Sequence, residues 1–133
     1  MTVQLVWEDE HKRVLRFDLD ADWTWDEFFA AKTEGYDLIN SVPHKVGVIV
    51  NIASRTALKP NLLQNTRKAL SDKHPNTFMI VLVVTDELAR TTIGLLYDSI
   101  RYSATRIEFA PSLDEARALI AQRSGDHLAL SDQ

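Results

Sequence analysis

The stretch Lys45-Val46-Gly47-Val48-Ile49-Val50-Asn51-Ile52 decides the fold. It is almost wholly apolar and rich in β-branched residues, the composition of a strand covered on both faces. A strand of that kind belongs inside a sheet with helices packed on it, so helices are expected before and after it. The segment that leaves it, Ala53 to Pro60, turns polar and basic through Ser54, Arg55, Thr56 and Lys59. In open α/β sheets, ligands and partners meet the chain just outside the carboxyl ends of such strands. That segment is therefore the first place to look for function.

Upstream, Phe28, Ala31, Gly35, Leu38 and Val42 recur at three- and four-residue spacing, one stripe of an amphipathic helix widened by Trp25, Phe29 and Ile39. Thr24 with Glu27 is a capping-box pattern at its start, and Pro43 stops it. Further upstream, Val3, Leu5 and Trp7 alternate with polar positions, and so do Leu15, Phe17 and Leu19. The polar turn Glu8 to Lys12 joins the two runs, which predicts an antiparallel hairpin at a sheet edge. Asp20 to Trp23 links the hairpin to the helix.

Downstream, Pro60-Asn61 opens a second helix with Leu62, Leu63, Thr66, Ala69 and Leu70 on its inner face. His74-Pro75-Asn76 ends it, and Phe78 to Thr85 is another continuous apolar strand. Thr85 or Asp86 caps a third helix carrying Ala89, Ile93, Leu96, Tyr97 and Ile100. Thr105 to Phe109 reads as a last short strand. Ser112 with Glu115 caps a closing helix through Leu113, Ala116, Leu119 and Ile120. The order is ββαβαβαβα: an α/β domain with a mostly parallel sheet and an N-terminal antiparallel hairpin. Residues 1–123 form one domain, and 124–133 are expected to fray as a polar tail.

Composition narrows the function classes. At 45% hydrophobic residues the chain has enough apolar material for a core. Without cysteine it has neither disulfides, nor a thiolate metal site, nor a cysteine nucleophile. A net charge of −4 argues against nucleic acid as a partner. The start Met1-Thr2-Val3-Gln4 lacks signal-peptide features, and the longest apolar run, Phe78 to Val84, is too short for a bilayer. A cytoplasmic location with no membrane insertion is the expectation.

Candidate chemistry is sparse. His11, His44, His74 and His127 have no i, i+4 pair and each sits beside a turn or terminus, so all four read as exposed loop histidines. Asp18, Asp20, Asp22 and Asp26 offer carboxylates for a weak divalent-cation site or, more simply, a solvated edge and helix-start charge. The four glycines, Gly35, Gly47, Gly94 and Gly125, are isolated, so there is no phosphate-cradling loop and no cofactor is expected. Arg55, Lys59, Arg67 and Lys68 make the approach to the second helix basic, which suits an anion or an acidic partner surface as well as a solvated helix face. Arg90 is placed to join that face. Trp23 and Trp25 flank the first helix cap, either as core or as part of an interface or apolar cleft.

The element order, the strand Val46-Gly47-Val48-Ile49-Val50-Asn51-Ile52 and the ending Ile107-Glu108-Phe109-Ala110-Pro111-Ser112-Leu113-Asp114-Glu115-Ala116 carry a family likeness. Over about residues 1–122 the chain resembles the STAS and SpoIIAA-like families. Its ending is similar to their Phe-x-x-Ser-x-x-Glu-Ala close. The resemblance implies a small, cytoplasmic, bacterial regulatory or protein-interaction module rather than an enzyme. In anti-sigma-factor antagonists of this kind a kinase phosphorylates a serine within Asp-Ser-Ser-Gly at the start of the second helix. Lys59, Pro60, Asn61 and Leu62 occupy that place here, so the usual phosphorylatable serine is missing; Ser54 and Thr56 lie a few residues earlier.

The expected function is a non-catalytic interaction module whose partner is another protein or a second copy of itself. Its binding residues are Ser54, Arg55, Thr56, Lys59, Asn61, Leu62 and Arg90. The alternatives are a carrier of a small apolar or anionic ligand and, third, a small enzyme.

Overall fold

A computed structural model describes the backbone of residues 3–20, 22–52, 64, 65, 68, 74–84, 91 and 106–131, and the side chains of these except 106 and 124–131. Five strands form one sheet: β1 (Val3–Trp7), β2 (Val14–Leu19), β3 (Val46–Ile52), β4 (Thr77–Val84) and β5 (Arg106–Ala110). They lie side by side in chain order. β1 runs antiparallel to β2, and β2 through β5 are mutually parallel. Two helices are described in full, α1 (Trp25–Asn40) and α2 (Leu113–Ser131). Gln64, Asn65, Lys68 and Thr91 also have helical backbone, where the apolar spacing predicts the two intervening helices.

β3 is buried along its length except at Asn51, as its composition predicts. Its alternate residues serve two cores. Val48, Val50 and Ile52 join Leu15, Phe17 and Leu19 beneath α1, whereas Ile49 joins Val81, Val83, Ala116 and Ile120 beneath α2. Full burial of a side chain such as Leu15, Ile49 or Val81 contributes about 1.5–3 kcal/mol. The helices therefore occupy opposite faces of the sheet. Among the described residues no helix is long and apolar enough to cross a membrane.

Two close approaches require glycine. A Cβ on Gly47 would stand 2.9 Å from Ile120 Cγ2 and 3.3 Å from Phe78 Cζ, so the missing side chain lets α2 settle onto β3. A Cβ on Gly35 would stand 2.9 Å from Phe17 Cζ, where α1 crosses β2.

Local signals act as expected at the helix starts. The Thr24 hydroxyl accepts the Glu27 amide at 3.2 Å, and the Ser112 hydroxyl accepts that of Glu115 at 3.2 Å. α1 ends at Asn40, before Pro43, with Ser41 donating back to the Leu38 carbonyl. The turn between β1 and β2 closes through Lys12, which adopts the left-handed region at φ 55°.

Two readings change. On α1 the buried stripe is Phe28, Ala31, Gly35 and Ile39; Leu38 is only partly covered, and Val42 lies beyond the helix end at Asn40. Steps of three, four and four keep that stripe on one line of a 3.6-residue helix. α2 is helical through Ser131. His74 is buried rather than an exposed loop histidine, whereas His11 and His44 are exposed; the His127 side chain lies outside the described residues.

Candidate functional site

The four parallel strands end at one edge of the sheet, with Leu19 beside Ile52 and Ile52 beside Val84. The chain therefore leaves β3 and β4 from neighbouring positions. The predicted binding residues themselves, Ser54, Arg55, Thr56, Lys59, Asn61, Leu62 and Arg90, lie outside the described residues. What surrounds their point of departure is described, and it differs on the two faces of the sheet.

On the α1 face the edge is aromatic. After β2, Asp20 accepts the Asp22 amide at 2.8 Å, a local turn that swings the chain back toward the sheet. Trp23 is thereby delivered into the core at 2% exposure, in edge-to-face contact with Trp25 at 4.8 Å. Phe28, one turn along α1, meets Trp23, Trp25 and Phe17 at 6.3, 6.0 and 5.8 Å. Trp25 and Phe29, four residues apart on the helix, stack at 6.0 Å with only 29° between their planes. Both are half-buried, so this stack forms the outer rim of the cluster. The Lys68 ammonium stands 4.9 Å from the centre of the Phe29 ring, a cation–π contact. Lys68 belongs to the chain between β3 and β4, so this contact ties the segment after β3 to the start of α1.

The α2 face is polar from this edge, at Asp18 and Asn51, across to the amino edge, at Glu8. Arg16 donates through Nε to both Asp18 oxygens at 2.9 and 3.0 Å and through Nη1 to Glu8 at 3.2 Å. Asn51, opposite Asp18 in the ladder, donates to Asp18 Oδ1 at 3.1 Å. Arg117 of α2 donates to the other Glu8 oxygen at 3.1 Å and to Asp114 at 3.1 Å. Burial works to lower the pKa of the Arg16 guanidinium, but the hydrogen bonds and charges of Asp18 and Glu8 outweigh it and raise it above its ordinary value. The chain Asn51–Asp18–Arg16–Glu8–Arg117–Asp114 thus anchors α2 to the hairpin.

Asp18 is engaged by Arg16 and Asn51, and Asp20 by the Asp22 amide. Among the described residues no three histidine, aspartate or glutamate side chains are grouped to hold a metal.

At the opposite edge, His74 packs edge-on to Tyr36 at 5.2 Å. Its Nδ1 accepts the Asn76 amide at 3.0 Å while Nε2 meets Asn40 Oδ1 at 2.7 Å. The neutral ring then carries its proton on Nε2 and donates to Asn40. This is an anchor between the end of α1 and the start of β4, at the amino edge, as the sequence order places it.

Sequence reasoning missed the ion-pair chain. Arg16 and Asp18 fall on one face of β2 by alternation, a visible signal; Arg117 lies 109 residues from Glu8 and carries none. Comparison of the chain with protein-family models, with curated proteins and with solved structures finds no match.

Proposed function

We propose that the chain is a non-catalytic protein-interaction module of the STAS/SpoIIAA-like kind, working through the carboxyl edge of its sheet. The observation that supports this reading is the half-buried Trp25–Phe29 stack with the Lys68 ammonium over it. It stands at the edge from which the chain leaves β3 toward Ser54, Arg55, Thr56 and Lys59. Aromatic side chains are enriched at protein interfaces, where rings supply contact area at low entropic cost. A partner with acidic and apolar side chains complements such a rim. The absence of serine from Lys59-Pro60-Asn61-Leu62 makes this a module without the usual phospho-switch.

The test compares the wild-type protein with the double variant Arg55→Glu/Lys59→Glu, both purified from the native host, using native mass spectrometry and thermal melts. A protein that co-purifies with wild type and is lost from the variant, at unchanged Tm, supports the reading. Capture that survives charge reversal refutes this surface.

The second reading, a carrier of a small apolar or anionic ligand, draws on the continuous contact among Trp23, Trp25, Phe28 and Phe29. A bound small molecule in the native spectrum moves the assignment there, and a phosphate mapped to Ser54 or Thr56 restores a switch.

A further inference from the structure

Three elements meet on one imidazole at the amino edge of the sheet. His74 is 6% exposed and stands just ahead of β4. Its carbonyl accepts the Thr77 amide at 3.0 Å and its Nδ1 accepts the Asn76 amide at 3.0 Å. The turn through Pro75 is thus closed twice on the same residue. The Asn76 carbonyl in turn accepts the Val46 amide at 2.8 Å, which fixes the start of β3. On its other side the ring meets Asn40 Oδ1 through Nε2 at 2.7 Å and Tyr36 edge-on, and so holds the last turn of α1.

The two ring nitrogens do opposite jobs. Nε2 donates to a side-chain oxygen, whereas Nδ1 accepts from a backbone N–H that can only donate. Only the neutral ring can do both. Imidazolium carries a hydrogen on each nitrogen, so protonation sets two donors against each other between Nδ1 and Asn76. Turning the ring over does not help, because either nitrogen of the cation is a donor. The bond to Asn40 survives protonation and the bond to Asn76 does not.

The surroundings bring no counter-charge to offset that loss. From α1 the ring faces Tyr36 and Asn40; the Lys32 ammonium stands 5.6 Å from the centre of the Tyr36 ring and adds a like charge. Asp37 on the same helix is exposed and makes no bond to the ring. Pro75, Asn76, Thr77 and Phe78 are uncharged, and Lys45, ahead of β3, is an exposed cation. Among the described residues no carboxylate is in ion-pair contact with the imidazole.

We propose that His74 is an acid-released latch: protonation of its ring frees the Asn76 amide and loosens the turn ahead of β4, while the ring keeps its hold on α1. The sign follows from proton uptake. In an opened or unfolded chain protonation breaks no bond, so that form takes up the proton more readily than the closed one. As pH falls from about 8 to about 5, the range in which histidine changes charge, the closed form therefore loses stability, and it regains it as pH rises. The device sits at the amino edge, at the opposite end of the strands from the surface proposed above, and does not depend on it.

The test is nuclear magnetic resonance on the full wild-type chain between about pH 8 and pH 5. The ring nitrogen shifts of His74 report protonation, and exchange of the Asn76 amide, corrected for its intrinsic pH dependence, reports the latch. Asn76 is expected to lose protection by at least about tenfold in step with ring protonation, the equivalent of one hydrogen bond. The Glu8 amide, bonded to the Val14 carbonyl at the same edge, should keep its protection. Constant Asn76 protection while the ring protonates overturns the proposal, and so does a ring that stays neutral throughout. Urea denaturation of His74→Gln, whose side chain does not titrate, supplies a second readout. Between the same two pH values the unfolding constant should rise about tenfold more for wild type than for the variant. Equal pH dependence overturns the latch; should the variant fail to fold, the wild-type spectra decide.

Discussion

Glu8 is shared by two guanidinium groups of unequal burial, and that inequality ranks their energies. The Arg16 side chain is 19% exposed and Arg117 is 43% exposed. An ion pair open to solvent contributes about 0–1 kcal/mol, whereas removing one member of a covered pair leaves a charge without its partner. In urea denaturation, Glu8→Gln is expected to cost about 1–3 kcal/mol. A double-mutant cycle should assign more coupling to Glu8 with Arg16 than to Glu8 with Arg117, and equal couplings would refute this ranking. Arg16 itself, held above its ordinary pKa, stays charged at every pH below that range, so the cation of the network is constant through neutral pH. His74 invites a test of hydrogen placement. The ring nitrogen shifts should report the Nε2-protonated tautomer, and His74→Ala is expected to cost about 1–3 kcal/mol by removing a buried ring and its two hydrogen bonds. The Nδ1-protonated form in the same spectrum would contradict the assigned acceptor.

At the scale of elements, α2 is positioned by a shape match and a charge match acting at different points. Ala116 and Ile120 press onto β3 and β4 where Gly47 leaves room, and Arg117 reaches the hairpin. Gly47→Ala puts a methyl into a contact of 2.9 Å with a branched side chain held in the core. The expected result is a loss of about 1–3 kcal/mol, the ordinary penalty of overpacking, read from the denaturation midpoint at unchanged m-value. Unchanged stability would mean that α2 can slide on the sheet. The bounds of β1 and β2 and the start of α1 were readable in the sequence because alternation and a capping hydroxyl are near-neighbour signals. Which of Leu38 and Ile39 turns inward was not, since both extend the same apolar stripe and the lie of the helix on β2 chooses between them.

For the whole molecule, the sheet is covered on both faces at its centre and thins toward β1. Amides of β3 and β4 around Ile49 and Val81, both at 0% exposure, should therefore exchange only through global unfolding. The inward-bonded amides of β1 should open at lower free energy. Uniform protection across the sheet in native-state hydrogen exchange would contradict this gradient. The carboxyl edge is likewise a property of the whole molecule. Four strands must end together before Ile52 and Val84 become neighbours and before Trp25, Phe29 and the Lys68 ammonium share one rim. The sequence pointed to this edge through the basic segment after β3, but the aromatic half of the rim read equally well as core.

The sequence by itself determined the α/β class, the leading hairpin, the doubly covered strand Val46–Ile52 and the helix starts at Thr24 and Ser112. Each depends on periodicity or on bonds between residues a few positions apart, which the chain carries locally. Only the tertiary structure decided that the strands lie in chain order and that β1 is an uncharged outer edge. It alone buried His74 against an asparagine 34 residues away and joined Glu8 to Arg117. These outcomes depend on which distant surfaces meet once the apolar faces of the strands have been covered, and no local pattern encodes that meeting.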